Sequence, residues 1–296
     1  MKDTFSNLHP LINFTYFVLV IGFSMFIMNP VCLAISFTCA FLNAVYLNGM
    51  RTVKFSLLYL LPMIILITII NPVFNHEGVT ILTYLPWGNP LTLESIIYGI
   101  VTAVLLSSTV LWFSCFNTII TSDKLIYLFG KIIPSLSLMM SMALRFVPKF
   151  TEQMKCVKTV QRSVGRDFST GTLLMRIKYG IKIISVMITM SLENAIETAD
   201  SMKSRGYGLK GRTAYSIYRF SKRDAIFLCI IALLGILDVI LIFTDSIKFR
   251  YFPSVKGNLF SVNSILFFAL YALLMMLPII INTGEGLNWK HTQSKI

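Results

Sequence analysis

Six long apolar stretches constrain the fold of this chain more than any other feature of its sequence. A helix needs about 20 apolar residues to cross a bilayer, and only helices and closed barrels satisfy their backbone hydrogen bonds in lipid. With 55% hydrophobic and 13% charged residues, the 296-residue chain lacks the composition of a soluble protein. The stretches cover residues 11–28, 31–47, 55–71, 93–121, 225–244 and 259–282. We therefore predict an all-α integral membrane protein with about six transmembrane helices, within a range of five to eight, plus long amphipathic cytoplasmic helices.

The positive charge is concentrated in one internal segment. Residues 122–223 hold 18 of the 26 Lys and Arg but only six of the 13 Asp and Glu, and they supply 12 of the 13 net positive charges. Cytoplasmic loops of membrane proteins collect Lys and Arg. We predict three parts: N-terminal transmembrane helices in residues 1–121, a basic cytoplasmic or interfacial domain in 122–223, and C-terminal transmembrane helices in 224–296.

The distribution of charge between the loops also predicts the orientation. Arg51 and Lys54 mark the second turn as cytoplasmic, whereas residues 72–92 contain no Lys or Arg. An even number of crossings then places both termini in the cytoplasm. Lys248, Arg250 and Lys256 in the last outer loop oppose this assignment.

Two apolar pieces of the basic segment, residues 125–144 and 173–192, resemble membrane spans. Both contain residues that are costly in lipid or in a helix interior: Lys131 and Pro134 in the first piece, and Arg176, Lys178 and Lys182 in the second. We predict amphipathic helices at the cytoplasmic interface. If both pieces crossed the membrane instead, the chain would have eight spans.

The boundaries of two further helices can be predicted from proline and glycine. Pro148 suits the first turn of a helix, so we predict that a basic helix begins there. The second apolar piece continues into an acidic stretch and ends near Gly206 and Gly208, which are typical helix stops. Arg205 is thereby predicted at a helix C-terminus.

Two motifs in the basic segment resemble the transmembrane T component of energy-coupling factor transporters, which are importers of bacteria and archaea. The motifs are MALRFVP at 142–148 and ADSMKSRGYG at 199–208, with Arg212-Thr213 following. The resemblance implies a cell-membrane subunit that transmits the motion of two ATP-binding cassette ATPases to a membrane-embedded substrate-binding S component, for uptake of a vitamin or a transition-metal ion. ATP and magnesium would be bound by the ATPases and no cofactor by this chain. The expected partners are these proteins and the lipid bilayer, and no nucleic acid is expected to bind.

The resemblance also implies which residues contact the ATPases. In that family, two short motifs with a central arginine lie at the ends of two coupling helices. Ser204, Arg205 and Gly206 match the second motif, and Ser163, Val164 and Gly165 stand where the first is expected. Val164 replaces the arginine, so the neighbouring Arg162 or Arg166 reaches the same ATPase groove, or the contact there is apolar and weaker.

The surface expected to contact the S component is apolar. Flexible methionine side chains suit a surface that adapts to different partners. The predicted contact residues are Leu136, Met139, Met140, Met142, Met187 and Met190. Core packing or lipid contact explains these methionines equally well.

Other functional classes are less compatible with the sequence. No phosphate-binding loop and no catalytic motif is present, so we predict that the chain is not an enzyme. A stand-alone secondary transporter or channel would need polar residues at mid-membrane, where Asp238 is the clear candidate. A membrane scaffold that recruits acidic partners or lipid through the basic segment is a further alternative.

Overall fold

The computed structural model describes residues 4–84, 90–165, 172–209, 218–243, 249–257 and 261–293. Helices account for nearly all of the described secondary structure. They are α1 (Pro10–Phe26), α2 (Pro30–Asn48), α3 (Met50–Phe55), a π-helical turn (Ser56–Leu60), α4 (Leu61–Phe74), α5 (Leu93–Ile119), α6 (Ser122–Ile132), α7 (Pro134–Ser163), α8 (Leu173–Ser204), α9 (Lys222–Ile242) and α10 (Val262–Gln293). Strands β1 (Ile81–Tyr84) and β2 (Pro90–Thr92) form a short antiparallel pair before α5.

The chain divides into two compact units. The first, here called the membrane unit, comprises Met1–Lys124 and Tyr218–Ile296. The second, here called the basic unit, is Leu125–Ile217. Its sequence contains 14 Lys and Arg and five Asp and Glu, a net charge of +9.

Helix α5 lies at the centre of the membrane unit. It packs against α1, α2 and α4, while α10 packs against α2 and α9, and α9 against α1. The core around α5 is aromatic: Tyr16, Phe17 and Trp112 contact one another edge to face. The indole N–H of Trp112 donates to Ser36 Oγ at 3.0 Å, so α2 and α5 are joined by a buried hydrogen bond as well as by apolar packing.

Six helical segments of the membrane unit run between its two ends. Five are long and apolar enough to cross a bilayer: Pro30–Asn48, Met50–Phe74, Leu93–Ile119, Lys222–Ile242 and Val262–Leu287. Helix α1 is shorter, with 17 residues. However, it starts where His9 N–H donates to Asp224 at the beginning of α9, and it ends beside Met28, whose carbonyl accepts from Tyr251 beyond the end of α9. Helix α1 therefore extends from the start of α9 to the segment that follows α9, and the prediction of an all-α membrane protein with about six crossings is confirmed.

The N-terminal segment is fixed by polar contacts at one end of the membrane unit. Asn282 Oδ1 accepts from the backbone N–H groups of Thr4 and Phe5, at 3.0 Å each. Lys124 Nζ donates to the carbonyl of Ser6 at 2.6 Å and to that of Ile119 at 2.9 Å. This end therefore contains the two places where the chain leaves and re-enters the membrane unit.

The basic unit differs from prediction at Pro148. The sequence predicted a helix beginning at Pro148, but α7 begins at Pro134 and continues through Pro148 to Ser163. That prediction was wrong, because packing of α7 against α8 outweighs the lost N–H bond and the steric clash of an internal proline, while Pro134 occupies the first turn. Helices α7 and α8 are long enough to cross a bilayer, but neither is among the described segments with suitable hydropathy and charge. The described helices thus give no support to eight crossings.

Candidate functional site

Helix α8 ends in a well-defined cap that fixes the position of Arg205. Gly206 follows with φ of 78°, in the left-handed region that favours glycine. The N–H of Tyr207 donates to the carbonyl of Met202, and that of Gly206 donates to Lys203, both at 3.0 Å. This pair of bonds is the Schellman motif, and it places Arg205 at the last half-helical position, where its side chain is exposed.

Helix α7 ends with the same left-handed glycine and the same bond from it, with valine in the position of the arginine. Val164 is its C-cap residue, and Gly165 follows with φ of 75° and donates its N–H to the Arg162 carbonyl at 3.0 Å. The preceding serines also match: the hydroxyls of Ser163 and Ser204 donate to backbone carbonyls of their own helices, at 3.1 and 2.9 Å. The structure thus places Val164 and Arg205 at equivalent positions.

The two residues proposed to compensate for Val164 differ in what the structure shows. Arg162 lies in the last turn of α7 and is exposed. Arg166 lies outside the described residues. Val164 itself is 64% exposed, so an apolar side chain is presented to solvent at this helix end.

A groove between α7 and α8 brings the two sequence motifs together. Its volume is about 1040 Å³, and its walls include Met142 and Arg145 from the first motif and Ser201, Met202 and Arg205 from the second. Glu197 lies in the same wall of α8. None of Arg145, Glu197 and Arg205 has a side-chain hydrogen bond or ion pair in the described part of the chain, and all three are exposed.

The residues predicted to contact an S component do not form one exposed surface. Leu136, Met139 and Met140 are exposed on α7, Met142 is partly buried in the groove, and Met187 and Met190 are partly buried on α8. A more exposed apolar row on α8 was not among the predicted contact residues. Its members are 55 to 65% exposed and recur every three or four residues: Ile177, Ile181, Ile184, Ile188, Leu192 and Ile196. The same helical period in the sequence would have identified this row.

Asp238 is buried inside the membrane unit on α9. Its side chain is 0% exposed, and neither carboxylate oxygen has a hydrogen-bond partner among the described residues. Burial of an unpaired carboxylate is unfavourable unless it is protonated or bound to a ligand. Nothing among the described residues forms a group of three or more potential metal ligands around it.

The sequence model of the CbiQ family, described as cobalt transport protein, matches residues 3–215, which is more than two thirds of the chain. The chain belongs to this family. Energy-coupling factor transporter transmembrane proteins are also similar to it. The EcfT 1 protein of Listeria monocytogenes is 30% identical over 186 residues, 58% of this chain and 68% of that protein. The EcfT protein of Brevibacillus brevis is 31% identical over 194 residues, 60% of this chain and 70% of that protein.

A third relative is more similar over a shorter region. The EcfT protein of Lactobacillus helveticus is 40% identical over 107 residues. This match covers 36% of this chain and 39% of that protein. Family membership makes the chain a multi-pass membrane subunit of an energy-coupling factor transporter, and the predicted resemblance is confirmed.

Proposed function

We propose that this chain transmits the ATP-driven motion of two cassette ATPases to a substrate-binding S component, and so drives uptake of a vitamin or a transition-metal ion. ATP and magnesium are bound by the ATPases. The substrate is chosen by the S component. The basic unit faces the cytoplasm together with both termini, because Lys and Arg accumulate on that side.

The matched caps of α7 and α8 are the observation that carries the proposal. Both helices are long, with 30 and 32 residues, or about 45 and 48 Å. A force can pass along such helices only if their ends are held firmly by the motor. The caps at Val164 and Arg205 define two such ends on one unit, which fits docking of one ATPase at each.

Arg205 is suited to be the stronger of the two anchors. A guanidinium group binds a carboxylate through two parallel hydrogen bonds and keeps its charge when it is buried. In the described structure the Arg205 side chain has no internal partner, so docking would break no existing contact. Removal of one partner of a buried interfacial charge pair typically costs about 2 to 5 kcal/mol of binding free energy.

The apolar surfaces of α7 and α8 are suited to contact the S component. The exposed row from Ile177 to Ile196 extends over five turns of α8, and Met139 and Met140 add flexible side chains on α7. A membrane-embedded partner without many charges would bury such a surface favourably. The other predicted contact residues are Leu136, which is exposed on α7, and Met142, Met187 and Met190, which are partly buried.

A detergent pull-down of the tagged chain from its native membrane tests the proposal. The wild type should recover two cassette ATPases and a small membrane protein, with ATPase activity in the eluate. Arg205→Glu should recover much less ATPase, because it places a negative charge against the carboxylates that Arg205 is proposed to bind on the ATPase. Lys155→Glu is the matched control, since Lys155 is an exposed residue of α7 that lies outside the groove between α7 and α8.

Three outcomes would contradict the proposal or its assignment to this helix end. Recovery of the chain alone, equally for wild type and Arg205→Glu, would favour a stand-alone transporter or channel that uses Asp238. Recovery of acidic partners without ATPases would favour a membrane scaffold. Equal losses in Arg205→Glu and Lys155→Glu would show that the effect is one of net charge and not of this helix end.

A further inference from the structure

The groove between α7 and α8 contains two arginines that the described structure leaves without a partner. Arg145 lies on α7 and Arg205 on α8, and they line the same groove. Glu197 is the third charged residue of the lining and also lacks an ion pair. The groove therefore has a net charge of +1, from two positive groups and one negative group, inside a unit whose sequence has a net charge of +9.

The periodicity of both helices directs the charged residues into the groove. Glu197, Ser201 and Arg205 are spaced by four residues, so they share one face of α8. Leu138, Met142 and Arg145 are spaced by four and three residues, so they share one face of α7. The two faces meet because the helices run antiparallel here, with Lys149 Nζ donating to Asn194 Oδ1 at 3.3 Å just beyond the groove.

From this arrangement we propose that Arg145 and Arg205 together bind one acidic segment of the ATPase that docks at the end of α8. The inference rests on the proposed function and adds a second arginine to that contact. Carboxylates are the complementary chemistry, because each guanidinium fork pairs with one bidentately. Hydroxyl groups of Ser141 and Ser201 in the lining suit a polypeptide's polar groups better than lipid acyl chains.

Arg145 cannot replace the arginine that is absent at Val164. The two residues are 19 positions apart on one helix, which corresponds to about 28 Å. Arg145 instead lines the same groove as Arg205, although it is 60 residues away in sequence. The ATPase at the end of α8 is therefore held by two arginines, and the ATPase at the end of α7 meets the apolar Val164.

This asymmetry predicts that substitution of Arg145 affects one ATPase and spares the other. The chain is co-expressed with its ATPases, purified in mild detergent, and analysed by native mass spectrometry at increasing salt concentration. The variants are Arg145→Ala, Arg205→Ala, the double variant, and the control Lys155→Ala. The number of ATPases retained per chain and the apparent affinity for each are measured.

For Arg205→Ala we expect an affinity loss of about 30-fold or more for one ATPase, and for Arg145→Ala a loss of about 10-fold for the same one. The fold-loss of affinity in the double variant should differ from the product of the two single fold-losses, because residues that share a partner are not independent. Retention should fall from two ATPases per chain to one. A variant that merely unfolds the basic unit would lose both.

Several results would overturn the inference while leaving the proposed function intact. Arg145→Ala could behave like Lys155→Ala, or could weaken only the ATPase at the Val164 end, while Arg205→Ala still releases its ATPase. Reduced binding to anionic vesicles with unchanged ATPase affinity would assign Arg145 to lipid headgroups. Failure of the proposed function is distinct, since the wild type itself would then retain no ATPase.

Discussion

Replacement of Lys124 by methionine should destabilise the membrane unit, because the Lys124 amine satisfies buried carbonyl groups at the end of α5. Lys124 is 7% exposed. Its Nζ atom donates to the Ser6 carbonyl at 2.6 Å, the Ile119 carbonyl at 2.9 Å and the Ser6 hydroxyl at 3.3 Å. The ammonium group also lies at the C-terminus of a 27-residue helix, where positive charge is favourable. Methionine retains the apolar stem but none of these bonds.

The magnitude follows from two carbonyls: the buried one of Ile119, which would lose its Lys124 donor, and the half-buried one of Ser6, which would lose the shorter of its two side-chain hydrogen bonds. Each buried acceptor left without a partner costs about 1 to 3 kcal/mol. The gain from no longer burying an ammonium group offsets part of this cost. We therefore expect Lys124→Met to lower the free energy of unfolding by about 2 to 4 kcal/mol.

The assay is equilibrium unfolding of the purified chain by a denaturing detergent in mixed micelles. Lys54→Met is the control, because Lys54 is exposed on α3 and the same substitution there removes no buried donor. The control should unfold within about 0.5 kcal/mol of the wild type, as surface substitutions usually do. Equal unfolding free energies for Lys124→Met and Lys54→Met would refute the reasoning.

Three further substitutions test the helix ends and the buried carboxylate. Val164→Arg should raise the affinity of the ATPase at the end of α7 about 10-fold or more, since a charge-assisted hydrogen bond contributes about 1.5 to 3 kcal/mol. If this ATPase is retained no better at increasing salt concentration, the ATPase presents no carboxylate to this helix end. Gly206→Ala should fray the end of α8 and speed amide exchange at Tyr207, because φ is 78° and the added Cβ would lie 3.0 Å from Leu209 Cδ1; unchanged exchange would refute this. Asp238→Leu should leave stability equal or higher and substrate import intact, since it removes a buried carboxylate without a recorded partner; loss of import by a stably folded variant would assign Asp238 a transport role.

The crossings and the cap at Arg205 could be predicted because both depend on local sequence. Apolar runs of about 20 residues identify transmembrane helices directly, and a Gly at the end of a periodic segment identifies a C-cap. The correspondence between Val164 and Arg205 was predicted from position in the family motif. Their matching caps give that alignment a structural basis, while their roles in ATPase binding stay predictions.

The features that were not predicted depend on tertiary packing or on a helical period in the sequence. Pro148 is a boundary signal in isolation, yet packing of α7 against α8 outweighs one lost hydrogen bond. The apolar row that includes Ile181 and Ile188 was not predicted, because it is defined by helical period and contains no methionine. The groove could not be predicted, since 52 residues separate Arg145 from Glu197 and only the tertiary fold places them together.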